Sequence, residues 1–253
     1  MSGSGNRDFA PLLERICASV RDLGSWQATL KPRTLVITFS LLSLSAFFTF
    51  AQGGQPSSGE SIPRKWLILP GGATGSAVST QSSEADLVRI YGDKNVVSHD
   101  VGIGEGETEP GTELFPADPL RRLDILWKDP VEKRGPKNVR ISGTKSVWGT
   151  AHGISLGTTL KRLEQLNKRP FRLAGFGFDY SGTVLSWSGG ALENELGQEA
   201  NRAGRVILRL NCSPHQSQQP EYRSLQGDRV FSSGHPALQK LNPTVYEVIW
   251  LFP

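Results

Sequence analysis

TVYEVIWLF, residues 244–252, is the stretch on which the fold reading turns. It is built of β-branched and aromatic residues, contains neither Gly nor Pro, and is too short for an independent helix, so it reads as a strand. Its two alternating sets are both apolar: Val245, Ile249 and Leu251 on one side, and Tyr246, Val248 and Trp250 on the other. A strand that is apolar on both faces is central or covered, not an edge. Working back from it, short apolar runs bounded by Gly, Pro, Asn and Ser predict further strands at 66–69, 95–103, 121–127, 138–142, 171–178, 183–187 and 205–210.

Helical spacing is confined to short segments. SSEADLVRIYG predicts a helix over 83–91, capped by Ser82 or Ser83 and closed by Gly92, with Leu87 and Ile90 inward. GTTLKRLEQLN predicts one over 158–166, capped by Thr158 and closed by Asn167, with Leu160, Leu163 and Leu166 inward and Pro170 barring continuation. A third fits 236–241. The two longer segments share a layout of cap, helix, turn and strand, which suggests a weak internal repeat. The expected class is α+β: a twisted, mainly antiparallel sheet with two or three short helices on one side, preceded by one transmembrane or signal helix. Residues 66–253 read as one globular domain, because no linker-like stretch interrupts them; the weakest point is 189–204.

That membrane helix is expected at TLVITFSLLSLSAFFTFA, residues 34–51, an uncharged run. As a helix it spans about 27 Å, close to the bilayer's hydrocarbon thickness. Five Lys/Arg stand against three acids in residues 1–33, and none of either kind lies in 52–58. Positive-inside bias therefore puts 1–33 in the cytoplasm and 52–253 across the membrane. The run serves either as an uncut signal-anchor, giving a single-pass membrane protein, or as a signal peptide cut after Ala51, giving a periplasmic or secreted one. Residues 52–65 read as a flexible linker.

The exported part carries 23 basic and 21 acidic residues, so the chain's pI of 9.2 does not imply nucleic-acid binding. The balance conceals a split. Residues 84–113 hold eight acids and two bases, whereas 121–172 hold thirteen bases and four acids. The blocks either pair with each other or leave a basic face for an acidic partner such as lipid headgroups or polysaccharide. Cys17 and Cys212, the only cysteines, fall on opposite sides of the expected span, so no disulfide joins them.

GGATGS at 71–76 lacks the lysine of a phosphate loop, and GIGEG at 102–106 lacks the third glycine of a dinucleotide fingerprint. His99, His152, His215 and His235 stand apart from one another, with no metal-ligand spacing, and no cofactor is implied. Glu105, Glu107 and Glu109 would offer oxygens on one side of an extended loop, but a solvated connection between strands is the plainer reading. The best candidate site is GFGFDYSGTVLSWSGG, 175–190. Gly175 and Gly177 would leave a sheet face bare for close approach of a backbone or ring. Asp179, Tyr180 and Trp187 are the candidate ligand-binding residues, suited to a sugar or a cation. The alternative is that Phe176 and Phe178 are core and Asp179 caps the turn at Ser181 and Gly182.

GISLGTTLKRLEQLNKRPF resembles the strand, capped helix, turn and strand unit of small bacterial envelope modules, among them the β-barrel assembly lipoproteins and β-lactamase inhibitor proteins. More extensively, IYGDKNVV, GEGETEPGTELFP, GFGFDYSGTVLSWSGG and FSSGHPALQKLNP, in that order across 66–252, resemble a family of uncharacterised bacterial secreted or lipid-anchored proteins. The resemblance implies export and domain integrity and carries no activity; the acylated cysteine of lipid-anchored members is missing here. The expected function is a membrane-tethered or secreted envelope module that binds a protein or glycan partner without catalysis, through a sheet face presenting Trp and Tyr beside bases. The alternative is a hydrolase of envelope material in which Asp179 works with a second carboxylate or His152. A third reading is an assembly role with the basic face on lipid headgroups.

Overall fold

A computed structural model describes residues 63–69, 76–104, 106–196 and 205–253. All lie in one compact unit, Gly54–Pro253. The runs at 34–51, 52–62 and 71–75 fall outside the described residues. Among the described residues, no helix is long and apolar enough to cross a membrane.

The fold is α+β with antiparallel sheets and short helices. Helix α1 is Glu84–Tyr91; strands β1 (Val96–Gly104), β2 (Glu107–Leu114), β3 (Leu123–Asp129) and β4 (Arg134–Ser142) follow as a meander. Then come α2 (Leu160–Asn167), β5 (Arg172–Ala174), β6 (Val184–Ser186), α3 (Glu193–Leu196), β7 (Arg205–Asn211), α4 (Pro214–Ser217), α5 (Pro220–Ser224), β8 (Val230–Ser232), α6 (Pro236–Leu241) and β9 (Thr244–Leu251). Six strands form the main sheet in the order β1-β2-β3-β4-β9-β7, and three form a second sheet in the order β6-β5-β8. As its sequence requires, β9 is interior, paired antiparallel with both β4 and β7.

Alternation sorts the main sheet into two unlike faces. On the first, Val96, Leu114, Leu123, Ile125, Val139, Ile141, Trp250, Val248, Val206 and Leu208 are all buried. Leu87 of α1, Leu160 and Leu163 of α2, Leu238 and Leu241 of α6, and Phe171, Leu173 and Trp187 around the small sheet complete the same core. Helix α1 begins with a capping box: Asp86 N donates to Ser83 Oγ at 3.2 Å, and Ser83 N donates to the Asp86 carboxylate at 3.0 Å. Helix α2 is capped by Thr159, one residue later than its sequence suggests, and closed by Lys168 in the left-handed region.

Three expectations need correction. Residues 66–69 are not a strand: a 3-10 turn, Arg64–Trp66, ends at Trp66, and one bridge follows, Leu67 with Gly149. The acidic segment beginning at Glu107 is not a connection but the strand β2, between β1 and β3. Its Pro110 is tolerated because pairing with β3 starts only at Gly111, so the missing N–H faces no partner. Finally, one sheet becomes two: glycines and Pro170 hold β5, β6 and β8 to three residues each, and these segregate into their own sheet.

Candidate functional site

The structure disperses the 175–190 segment. Asp179 is exposed at the tip of a turn closed by Ser181 N to Phe178 O, 3.1 Å, and makes no hydrogen bond or ion pair among the described residues. Its side chain does not cap the turn. Trp187 is corrected as a ligand contact: only 3% exposed, it packs on Phe171 with ring centroids 5.1 Å apart. Of the two glycines expected to be bare, Gly175 is filled by the chain's own backbone, since a Cβ there would lie 2.4 Å from Gly227 O, whereas Gly177 is exposed and a Cβ there would meet only the Gln226 side chain, at 3.4 Å. Gly182 is closed off as well: a Cβ there would lie 1.9 Å from Leu210 O. Phe176 is buried and Phe178 half-buried.

Tyr180 is the member that leads elsewhere. It is 48% exposed, at φ 63°, and its ring lies 5.0 Å from the Arg209 guanidinium. Arg209 stands on the second face of the main sheet. Register places Glu113, Asp124, Arg140, Ile249 and Ile207 in one row across that face, with Gly111, Leu126, Asn138, Leu251 and Arg205 in the next. The same unbroken register sets Glu247 opposite Arg209, and a bulge follows between Arg209 and Leu210.

The face is curled. Arg140 of β4 donates from Nη1 to the Gly102 carbonyl of β1. In a flat sheet those positions would be roughly 20 Å apart, from three strand spacings and five residues of rise, which one side chain does not bridge. Tyr180 strengthens the wrap, because a Cβ on Gly104 would come within 3.1 Å of its hydroxyl. Thus the end of β1 is gripped by β4 and capped by Tyr180, which also covers β7.

Within the curl, Arg209 Nη1 bonds Glu247 Oε2 at 2.6 Å and Arg140 Nε lies 3.2 Å from Glu247 Oε1. The Glu247 side chain is 7% exposed and each arginine side chain 17%. One carboxylate thus serves two guanidinium groups. The Nε atoms of Arg140, Arg205 and Arg209 and the Oδ1 of Asn138 are buried without an aligned hydrogen-bond partner. Burial, then the Glu247 carboxylate, raise the Tyr246 phenol above its usual range, while Arg209 pulls it down.

The neighbouring part of the face is acidic. Asp124 is directly opposite Glu113. Burial raises its carboxyl above the ordinary range and Glu113 adds to the shift, while His99, Arg122 and Arg140 oppose it. Glu113 is held 3.5 Å from Arg122. An open cavity of about 210 Å³ lies along the edge strand, lined by Ser98, His99, Asp100, Pro110, Gly111 and Lys133.

Other chemistry-bearing groups have structural explanations. Lys133, in the turn between β3 and β4, bridges Ser98 of β1 to Glu84 of α1, whose Oε2 it meets at 2.9 Å, and so acts as a structural donor. His235 caps α6, accepting from Ala237 N at 3.2 Å. Burial pushes the Cys212 thiol up to about 11, far from a reactive thiolate. No group of His, Cys, Asp and Glu among the described residues has the geometry to hold a metal ion.

No family model, curated protein or solved structure matches the chain. The second face must therefore be judged on its own geometry. Of the residues picked from the sequence, only Tyr180 belongs to it. Arg140, Arg209 and Glu247 were missed, since Glu247 is a lone acid in an apolar strand and Arg209 a lone base in VILRL. A polar residue interrupting each buried strand was the available signal.

Proposed function

We propose that this chain is a membrane-tethered or secreted bacterial envelope module that binds an anionic partner, glycan or protein, on the curled face of its main sheet. The observation that carries the reading is the sharing of Glu247 by Arg140 and Arg209, beside the exposed Tyr180 ring and on the same face as Arg205. Guanidinium edges next to an aromatic face suit a carboxylate on a sugar or peptide. The sequence likeness to secreted and lipid-anchored envelope proteins supports the setting, as does the 34–51 run, whether it anchors the chain or is cut after Ala51. The expected display of exposed tryptophan is not part of the site: Trp127, Trp148, Trp187 and Trp250 are buried and Trp66 is half-buried.

Titration of the full chain with oligogalacturonate and with polyglutamate tests the reading. Binding of at least one, weakened about tenfold in Arg209→Gln by loss of a charge-assisted contact, and unchanged in Asp179→Asn, is expected. No binding of either, or equal binding by the Arg209 variant, would sink it.

A hydrolase reading keeps one specific support, moved from Asp179 to Asp124 and Glu113. Side chains directly opposite on adjacent strands have Cβ atoms about 5 Å apart, compatible with a carboxylate pair that acts on a glycosidic bond. The raised Asp124 carboxyl would be the acid and Glu113 the partner. Release of reducing ends from envelope polysaccharide by the wild type, abolished in Asp124→Asn, would establish it; no release by the wild type rejects it.

A further inference from the structure

The two charge blocks of the sequence do meet, but incompletely. Glu84 pairs with Lys133, Glu109 with Lys137 and Glu113 with Arg122. The acids of 84–113 are thereby directed to the first half of the basic block. The second half has no such partners. Lys161, Arg162, Lys168, Arg169 and Arg172 are all exposed, and none is in an ion pair among the described residues. The one acid in this stretch, Glu164, is turned away from them: it accepts from Ser233 Oγ and from Gln239 Nε2, the latter at 2.8 Å.

Helix geometry gathers these bases. Burial of Leu160, Leu163 and Asn167 turns Lys161, Arg162 and Gln165 outward, and the exposed Lys168, Arg169 and Arg172 continue from the C-terminal end. A base or two there complements the helix dipole. Five unpaired ones exceed that need and repel one another.

We propose that this strip docks the module on anionic phospholipid headgroups. The inference rests on the tethered form of the function proposed above. A linker over 52–65 would extend at most roughly 50 Å, so a module anchored through 34–51 would stay beside the bilayer. Long, unpaired basic side chains on an outward helix face suit a surface of like, laterally mobile phosphates better than a single shaped ligand.

The full chain is reconstituted with phosphatidylcholine vesicles, with and without phosphatidylglycerol. Flotation reports the tether, and acylation of Lys161 and Lys168 by a membrane-impermeant amine reagent reports docking, with the exposed Lys94 and Lys145 as internal references. Flotation with both vesicle types is expected. Labelling of Lys161 and Lys168 should fall severalfold only where phosphatidylglycerol is present, and should recover at about 1 M salt, where the screening length is ~3 Å. Equal labelling on both vesicles, with flotation intact, overturns the docking and leaves the tether standing. Protection by oligogalacturonate but not by vesicles also overturns it, assigning the strip to a glycan. If the chain floats only with the vesicles that contain phosphatidylglycerol, the tether fails, and the K161Q/R162Q/K168Q/R169Q variant decides docking alone; flotation with neither vesicle type overturns both. A loss of about fivefold in phosphatidylglycerol binding per base removed supports it; an unchanged partition overturns it.

Discussion

Glu247 carries two guanidinium groups on one nearly buried carboxylate, so its removal strands two charges at once. Glu247→Gln is expected to lose about 3–5 kcal/mol, measured by urea denaturation. Replacing Glu247, Arg140 and Arg209 together by apolar residues of similar volume should cost much less, because no charge is left unpaired. Asp124 is perturbed in the opposite sense to a paired acid. Its folded carboxyl binds the proton more tightly than the ordinary value of 3.8, through burial and then Glu113. The stability linked to it is full below 3.8 and is lost as pH rises through the folded value. Asp124→Asn should therefore be more stable than the wild type at neutral pH, with the advantage vanishing as the solution is acidified below that range; a constant difference across pH would refute the assignment. At the 175–190 segment, Trp187→Ala should cost about 3–5 kcal/mol as a core truncation, whereas Asp179→Asn should stay within about 0.5 kcal/mol. Both residues look like ligand contacts in the sequence, because an aromatic near an Asp-Tyr pair has the same composition in a core as in a cleft; only burial separates them.

Elements were legible where local chemistry is sufficient to form them. Helix α6 and β9 coincide with their expected spans to within a residue, and α1 has its cap and closing Gly92 where its sequence puts them, but only Leu87 of its expected stripe is buried: Ile90 is 66% exposed. Strand β2 was not legible: ETEPGTEL has the composition of a loop, and it becomes a strand because β1 and β3 supply pairing on both sides. The cap of α1 gives a test at this scale. Ser83→Ala should cost about 1 kcal/mol at neutral pH. The hydrogen bonds from Ser83 hold the Asp86 carboxyl below its ordinary 3.8. That contribution is present above 3.8 and lost as pH falls through the lower folded value, so the difference between the wild type and the variant should narrow in acid to what the Asp86 N to Ser83 Oγ bond supplies. Circular dichroism melts at both ends of the range read this directly.

At the scale of the molecule, the curl of the main sheet is what turns a row of strand residues into a site. Nothing local encodes it. Arg140 and Gly102 are 38 residues apart in sequence and three strands apart in the sheet, and Tyr180 arrives from the segment that precedes the second sheet's β6. The wrap is thus held by a few long-range contacts around one edge, while β9 is locked between two neighbours. Opening should reflect that difference. Loss of the Tyr180 ring over Arg209 and Gly104 removes a contact of about 1 kcal/mol, a factor of about five in a local opening equilibrium. In Tyr180→Ala, the amides of Val101–Leu114 should exchange about fivefold faster, with those of Val248–Trp250 unchanged. The same variant should bind the anionic probes more weakly, since the ring that closes the curl also lies beside Arg209. Uniform acceleration across both regions would mean that Tyr180 acts on global stability alone; no acceleration anywhere would mean that the curl is held without it.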